Sequence, residues 1–234
     1  LNAFQVEAEQ LSRALSGLSG PDWDRPTRCE PWRVRDLLAH LTTTVGRLSE
    51  MLAAPAPARA EVTAATYYRP DERFAPDVDA VRVDLARQRA EQLGGPALAG
   101  EFDVVWRRVD RACRAEPVDR LVATRFGDQM LLSEYLVTRV LELAVHGLDL
   151  ADALGRRPWL TDRAADVVEE LLVGGEPVAS RALGWDRARF LRTATGRAPL
   201  TPEDRRRVER LGIRWLTFGQ TAEPGTGTTT GRRE

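Results

Sequence analysis

Residues 131–154 read as one helix that is apolar around most of its circumference and crossed by a single polar line. Leu132, Leu136, Val140, Leu143 and Leu150 cover one side, and Val137, Leu141, Val145 and Leu148 cover another. A helix apolar over that much of its surface belongs in an interior, packed by other helices. Along it Arg139, Glu142, His146 and Asp149 recur at spacings of three and four, which places them on one face. Buried ionisable groups are unfavourable unless they are paired or hold a metal. The line must therefore meet solvent, a polar network or an internal site.

The rest of the chain supplies the packing partners. Phe4, Leu11, Leu15 and Leu18 give residues 2–18 a helical spacing that stops at Ser19-Gly20-Pro21. A compact linker with Trp23, Pro26, Cys29, Pro31 and Trp32 leads to a second helix over about 33–54. Its apolar stripe runs through Val34, Leu37, Leu38, Leu41, Val45, Leu48 and Leu52. Residues 55–78 read as a long loop holding Tyr67 and Tyr68, and loops of that length often line a site. A third helix is expected over 79–93, interrupted by Gly94-Gly95-Pro96 and resumed over 97–114; residues 118–126 read as a short strand or extended link.

These elements predict a mainly α protein: an antiparallel bundle of four long helices over 1–157, with a smaller C-terminal extension, helical or α+β, over 158–220. Within the extension, helical stretches are expected near 161–173, 186–195 and 202–211, with a short strand or turn over 213–218. The Gly/Thr-rich tail, 221–234, has the composition of a disordered segment.

Composition narrows the function. The net charge is −1, with 34 basic residues, all of them arginine, so no excess of positive charge favours nucleic acid or a membrane surface. No stretch is long and apolar enough to be expected to span a bilayer. Cys29 and Cys113 match neither a disulfide framework nor a zinc spacing, and a reduced, cytoplasmic setting is the expectation. Cys29 is expected to pack in the linker beneath Trp23 and Trp32, with a nucleophilic role at the helix start as the alternative. Cys113 follows an apolar helical pattern and is expected in the core.

Histidine occurs only twice, at His40 and His146. Glu142 and His146 lie four residues apart, about 6 Å along one helical face. If His40 arrives from the second helix, two imidazoles and a carboxylate would leave a tetrahedral metal one open position, the arrangement of a catalytic site. The pattern also fits a solvated edge on which Arg139 and Glu142 pair and His40 is half exposed beside its apolar stripe. Spacing alone leaves both readings open.

Two blocks add a family resemblance. Trp23-Asp-Arg-Pro26-Thr-Arg-Cys29-Glu-Pro-Trp32-Arg-Val34-Arg-Asp36-Leu-Leu-Ala-His40-Leu resembles the N-terminal signature of the mycothiol-dependent maleylpyruvate isomerase family of the DinB-like superfamily. Arg139-x-x-Glu142-x-x-x-His146-x-x-Asp149 is similar to its second metal motif. The turn Glu30-Pro31-Trp32 stands where that family usually has Pro-Gly-Trp.

The resemblance implies a DinB-like bundle holding a divalent metal, most often zinc, on His40, Glu142 and His146. It makes Arg139 and Asp149 candidates for orienting a ligand or binding an anionic group. It also implies mycothiol, a cysteinyl-sugar thiol, as co-substrate, activated for attack on a small electrophile. Three functions follow as expectations: a zinc-dependent thiol transferase, a cis–trans isomerase of the maleylpyruvate type, or a DinB-like bundle that binds metal or ligand without turnover. A monomer or homodimer serves any of them.

Overall fold

The computed structural model describes residues 1–69, 75–175 and 178–216. Four long helices form a closed ring of contacts: α1 (Asn2–Leu15), α2 (Val34–Ala53), α5 (Gly95–Ala115) and α6 (Leu132–Leu154). Helix α1 touches α5 and α6, and α2 touches the same two. Each contributes an apolar stripe to the shared core: Phe4, Ala8, Leu11 and Leu15 from α1, the predicted Val34–Leu48 stripe from α2, and Phe102, Val105, Trp106 and Val109 from α5. The expected bundle is thus present, with the first helix ending at Leu15 rather than Leu18.

Between α2 and α5 the chain is more ordered than its composition suggests. The expected loop 55–78 contains a one-turn helix, α3 (Ala64–Tyr67), capped by Thr63, and the start of α4 (Pro76–Leu93); residues 70–74 lie outside the described residues. Pro76 occupies the first turn of α4, where its missing N–H costs nothing. Helix α4 leans on α2 and ends at Gly94, whose φ of +73° favours a residue without Cβ. The third predicted helix is therefore two helices, and only α5 closes the ring. At the joint, a Cβ on Gly95 would lie 2.2 Å from the Trp23 ring, so the indole packs directly on backbone.

A short antiparallel hairpin, β1 (Leu121–Ala123) and β2 (Gln129–Leu131), pairs Val122 with Met130 and leads straight into α6. Gly155, in the left-handed conformation, ends α6. Beyond it follow α7 (Asp162–Val173), α8 (Ala179–Leu183), α9 (Arg187–Ala194) and α10 (Pro202–Arg210). Helix α7 packs on α1 and α6, and α9 on α6 and α7. Among the described residues this part of the chain is helical with no strand: Ile213–Leu216 are irregular, with Leu216 donating its N–H to the Leu172 carbonyl. Residues 217–218, the end of the expected strand or turn, and the tail 221–234 lie outside the described residues. No helix among those described is long and apolar enough to cross a membrane.

Candidate metal centre

The polar line of α6 faces inward, toward α2. His40 is buried, 7% exposed, rather than half exposed as its place at the stripe edge suggests. The reason is the Trp32 indole, which lies over the imidazole with ring centroids 4.7 Å apart. The loop before α2 fixes that indole. Pro26 and Arg33 bridge it, and the Thr27 amide and hydroxyl both donate to the Trp32 carbonyl. At its end Asp36 accepts the Arg33 N–H at 2.8 Å and starts the helix. The Glu30–Pro31 peptide bond within this loop is cis.

Across the α2–α6 seam, His40 Nε2 lies 3.4 Å from Glu142 Oε2, and His146 Nε2 lies 3.4 Å from the same oxygen. The two imidazoles meet edge to face, with centroids 5.4 Å apart. One ligand atom from each of the three residues falls within 4.8 Å of the others. Zinc bonds of about 2.0–2.1 Å at tetrahedral angles put neighbouring ligand atoms roughly 3.3 Å apart, so the donor set fits a small divalent cation in type and spacing.

Behind His146 stands a second, closed arrangement. His146 Nδ1 donates to Asp149 Oδ2 at 2.9 Å. Arg197, from the turn after α9, grips both oxygens of the same carboxylate, Nε to Oδ1 at 2.7 Å and Nη2 to Oδ2 at 2.8 Å. The Cys29 thiol donates to Asp149 Oδ2 at 3.3 Å and lies 3.9 Å from His146 Nδ1. A carboxylate on the far ring nitrogen fixes which nitrogen carries the proton and turns Nε2 toward the ligand position. Cys29 is thus not packed away in the linker: the Thr27–Trp32 closure turns it toward α6.

The protonation states follow from these contacts. Burial pushes the His40 imidazole down to about 4, with Glu142 only partly opposing, so His40 is neutral near pH 7. Burial also opposes charge on His146, but its bonds to Asp149, Cys29 and Glu142 hold it well above the usual histidine range. Glu142 feels the same burial penalty, which hydrogen bonds with His146 and His40 and the charge of Arg139 more than offset, keeping it ionised. Asp149 is likewise held below the ordinary carboxylate range: burial opposes ionisation, but His146 and Arg197 outweigh it.

Among the described residues, Arg139 does not form the ion pair with Glu142 that its spacing suggests. It is 3% exposed, donates from Nε to the Thr138 hydroxyl at 3.2 Å, and sets its guanidinium 4.7 Å from the Tyr135 ring centroid. It lines a cavity of about 340 Å³ together with His40, Glu142 and His146. Arg197, which orders the far side of His146, has no local sequence signal: it lies 48 residues beyond the carboxylate it grips.

The bundle of α1, α2, α5 and α6 has the DinB-like fold. Residues 4–151 match the family model of the mycothiol maleylpyruvate isomerase N-terminal domain, and the chain belongs to that family. Two solved structures share the fold. A histidine-to-alanine variant of mycothiol-dependent maleylpyruvate isomerase superposes with a TM-score of 0.57 and the isomerase itself with 0.53. Each is 16% identical, with 84% of this chain and 88% of that chain covered. No curated protein matches the chain.

Proposed function

We propose that the protein is a metal-dependent thiol transferase, with His40, Glu142 and His146 holding zinc and with mycothiol as the thiol co-substrate. The observation that carries this reading is the pair of 3.4 Å separations around Glu142 Oε2, backed by the Asp149 bond that aims His146 Nε2 at the same point. Zinc held by two imidazoles and one carboxylate keeps a net positive charge and supplies a site at which a thiol loses its proton near neutral pH.

The chain's own residues do the rest. Asp149 and Arg197 hold His146 in one orientation, Trp32 covers His40, and hydrogen bonds with His146 and His40, aided by the charge of Arg139, keep Glu142 ionised. An activated thiol gives its electron pair to an electrophilic carbon. In transfer the new C–S bond persists. In isomerisation it breaks again after rotation about the former double bond, releasing the thiol. The family match favours isomerisation as the second reading, because the family model is that of an isomerase domain.

Metal analysis of the purified protein and of His40→Ala and Glu142→Ala tests the centre. Stoichiometric zinc in the parent, lost in both variants, is the expected result; a parent protein that takes up no zinc on reconstitution sinks both readings. Mycothiol-dependent consumption of a model electrophile then separates an enzyme from a binding protein. Mass spectrometry of the product separates an adduct, which keeps the thiol, from an isomer, which does not.

A further inference from the structure

Tyr68 belongs to neither α2 nor α6, yet it lines both cavities that border Glu142 and His146, of about 340 and 600 Å³. It follows the last residue of α3, with its N–H turned back onto that helix. A single turn of helix has little stability of its own, so α3 depends on its fastenings. Thr63 caps it, and the Ala64 N–H donates to Glu134 in the first turn of α6 at 2.7 Å. Just before it, the Glu61 and Val62 N–H groups both donate to the Gln129 carbonyl on β2. These bonds fix where the Tyr68 ring enters the bundle.

The ring is buried, 5% exposed, and meets Tyr67 edge to face with centroids 5.2 Å apart. Its hydroxyl donates to the Thr138 carbonyl at 3.4 Å. That is long for a hydroxyl donor, whose bonds are usually about 2.7–2.8 Å. The same carbonyl is the one that accepts the Glu142 N–H in the regular α6 ladder. The Tyr68 bond is therefore weak, stands one helical turn from Glu142, and can be given up without leaving a carbonyl unpaired. Burial and the charge of Glu142 push the phenol well above its ordinary range, with Arg139 opposing. At neutral pH the group is a hydrogen-bond donor that keeps its proton.

We infer that Tyr68 is a catalytic residue whose hydroxyl donates a hydrogen bond to the oxygen that becomes negative when a thiol adds to an α,β-unsaturated carbonyl electrophile. This rests on the thiol-dependent reading above. Sulfur supplies the electron pair of the new C–S bond, the carbon–carbon π pair shifts toward the carbonyl, and the carbonyl oxygen becomes an enolate oxygen. A buried donor already in place stabilises that oxygen more than the neutral carbonyl it came from. In transfer, the enolate carbon takes up a proton in place of the one the thiol lost. In isomerisation the electron pair returns, the C–S bond breaks and sulfur leaves with its pair. Tyr68 keeps its own proton in both.

Two electrophiles of similar size separate this role from a structural one. Benzalacetone, an enone, develops an oxyanion as the thiol adds; benzyl chloride loses chloride to the thiol and has no carbonyl oxygen to carry charge. With zinc-loaded protein and mycothiol, Tyr68→Phe should lower kcat for benzalacetone about 100-fold, the usual cost of removing one such donor. In the same variant kcat for benzyl chloride, and zinc affinity measured by chelator competition, should stay within about twofold of the parent. Tyr67→Phe, which removes the neighbouring hydroxyl, should leave the ratio of the two rates as it is in the parent. An equal fall for both electrophiles, no fall for benzalacetone, or a loss of zinc affinity in Tyr68→Phe overturns the assignment and leaves the thiol-dependent reading standing. A parent protein that turns over benzyl chloride alone does the same. One that turns over neither electrophile sinks the thiol-dependent reading, and this assignment with it.

Discussion

The two sides of His146 are built for different tasks. On the Nε2 side stand a neutral imidazole and one carboxylate, His40 and Glu142, bordering two cavities. On the Nδ1 side Asp149 is 1% exposed and receives His146, Cys29 and both arms of Arg197. The first side leaves donor capacity facing space; the second spends its capacity internally. A buried carboxylate matched by a guanidinium and an imidazole is held in one place, because moving any member leaves an uncompensated charge. The closed side therefore positions His146, and the open side is the one that keeps ligand atoms available for the proposed metal.

Asp149→Asn breaks this division most directly. It keeps the shape of the side chain but removes the charge that orients His146 and pairs Arg197. Zinc affinity, measured by chelator competition, should fall about 10- to 100-fold, the usual cost of losing a partner behind a metal-ligating histidine. Arg197→Met should move the same quantity in the same direction by less, since Asp149 retains its bond to His146. Unchanged affinity in Asp149→Asn would mean that α6 alone fixes the imidazole.

These two sides were unequally legible in the amino-acid sequence. Glu142 and His146 belong to one helix, and a four-residue spacing on an apolar background displays them as a local pattern. The burial of His40 depends on Trp32, held by a loop whose closure comes from Thr27 and a Pro26–Arg33 bridge, contacts without periodicity. Arg197 reaches Asp149 only because α9 packs on α6, and nothing near residue 197 announces that. The same limit applies to secondary structure. Helix α4 buries only Ala86 and Ala90 while exposing Val81 and Leu85, so its stripe is faint, and α8, five residues long, is too short to show any period.

Cys29→Ser sharpens the comparison from the other direction. The thiol is one of several donors on Asp149, and a single such bond contributes about 1 kcal/mol or less. Zinc affinity should change by no more than about fivefold, and thiol-dependent turnover should persist. Loss of turnover by orders of magnitude with zinc retained would make Cys29 a nucleophile, and the closed side would then be reactive.

The smallest effect on zinc affinity is expected at a buried carboxylate that pairs with no cation among the described residues. Glu7 on α1 is 1% exposed and accepts the Thr161 N–H at 2.9 Å and the Thr161 hydroxyl at 2.6 Å, tying α1 to the start of α7. Burial raises its pKa from 4.5 to about 7, against the opposing pull of those bonds, the reverse of Asp149 with its guanidinium. A folded-state pKa above the unfolded one means that the folded protein holds the proton more tightly. The resulting stabilisation is full below about pH 4.5 and is lost as pH rises through about 7, a swing of at most about 3 kcal/mol. Glu7→Gln keeps an acceptor for Thr161 and removes the titration, so the melting temperature of the variant should gain on the parent between pH 5 and pH 8 while zinc affinity stays the same. An identical difference at both pH values would show that this carboxylate titrates alike in the folded and unfolded chain, and that burial without a counter-ion does not set Glu7 apart from Asp149.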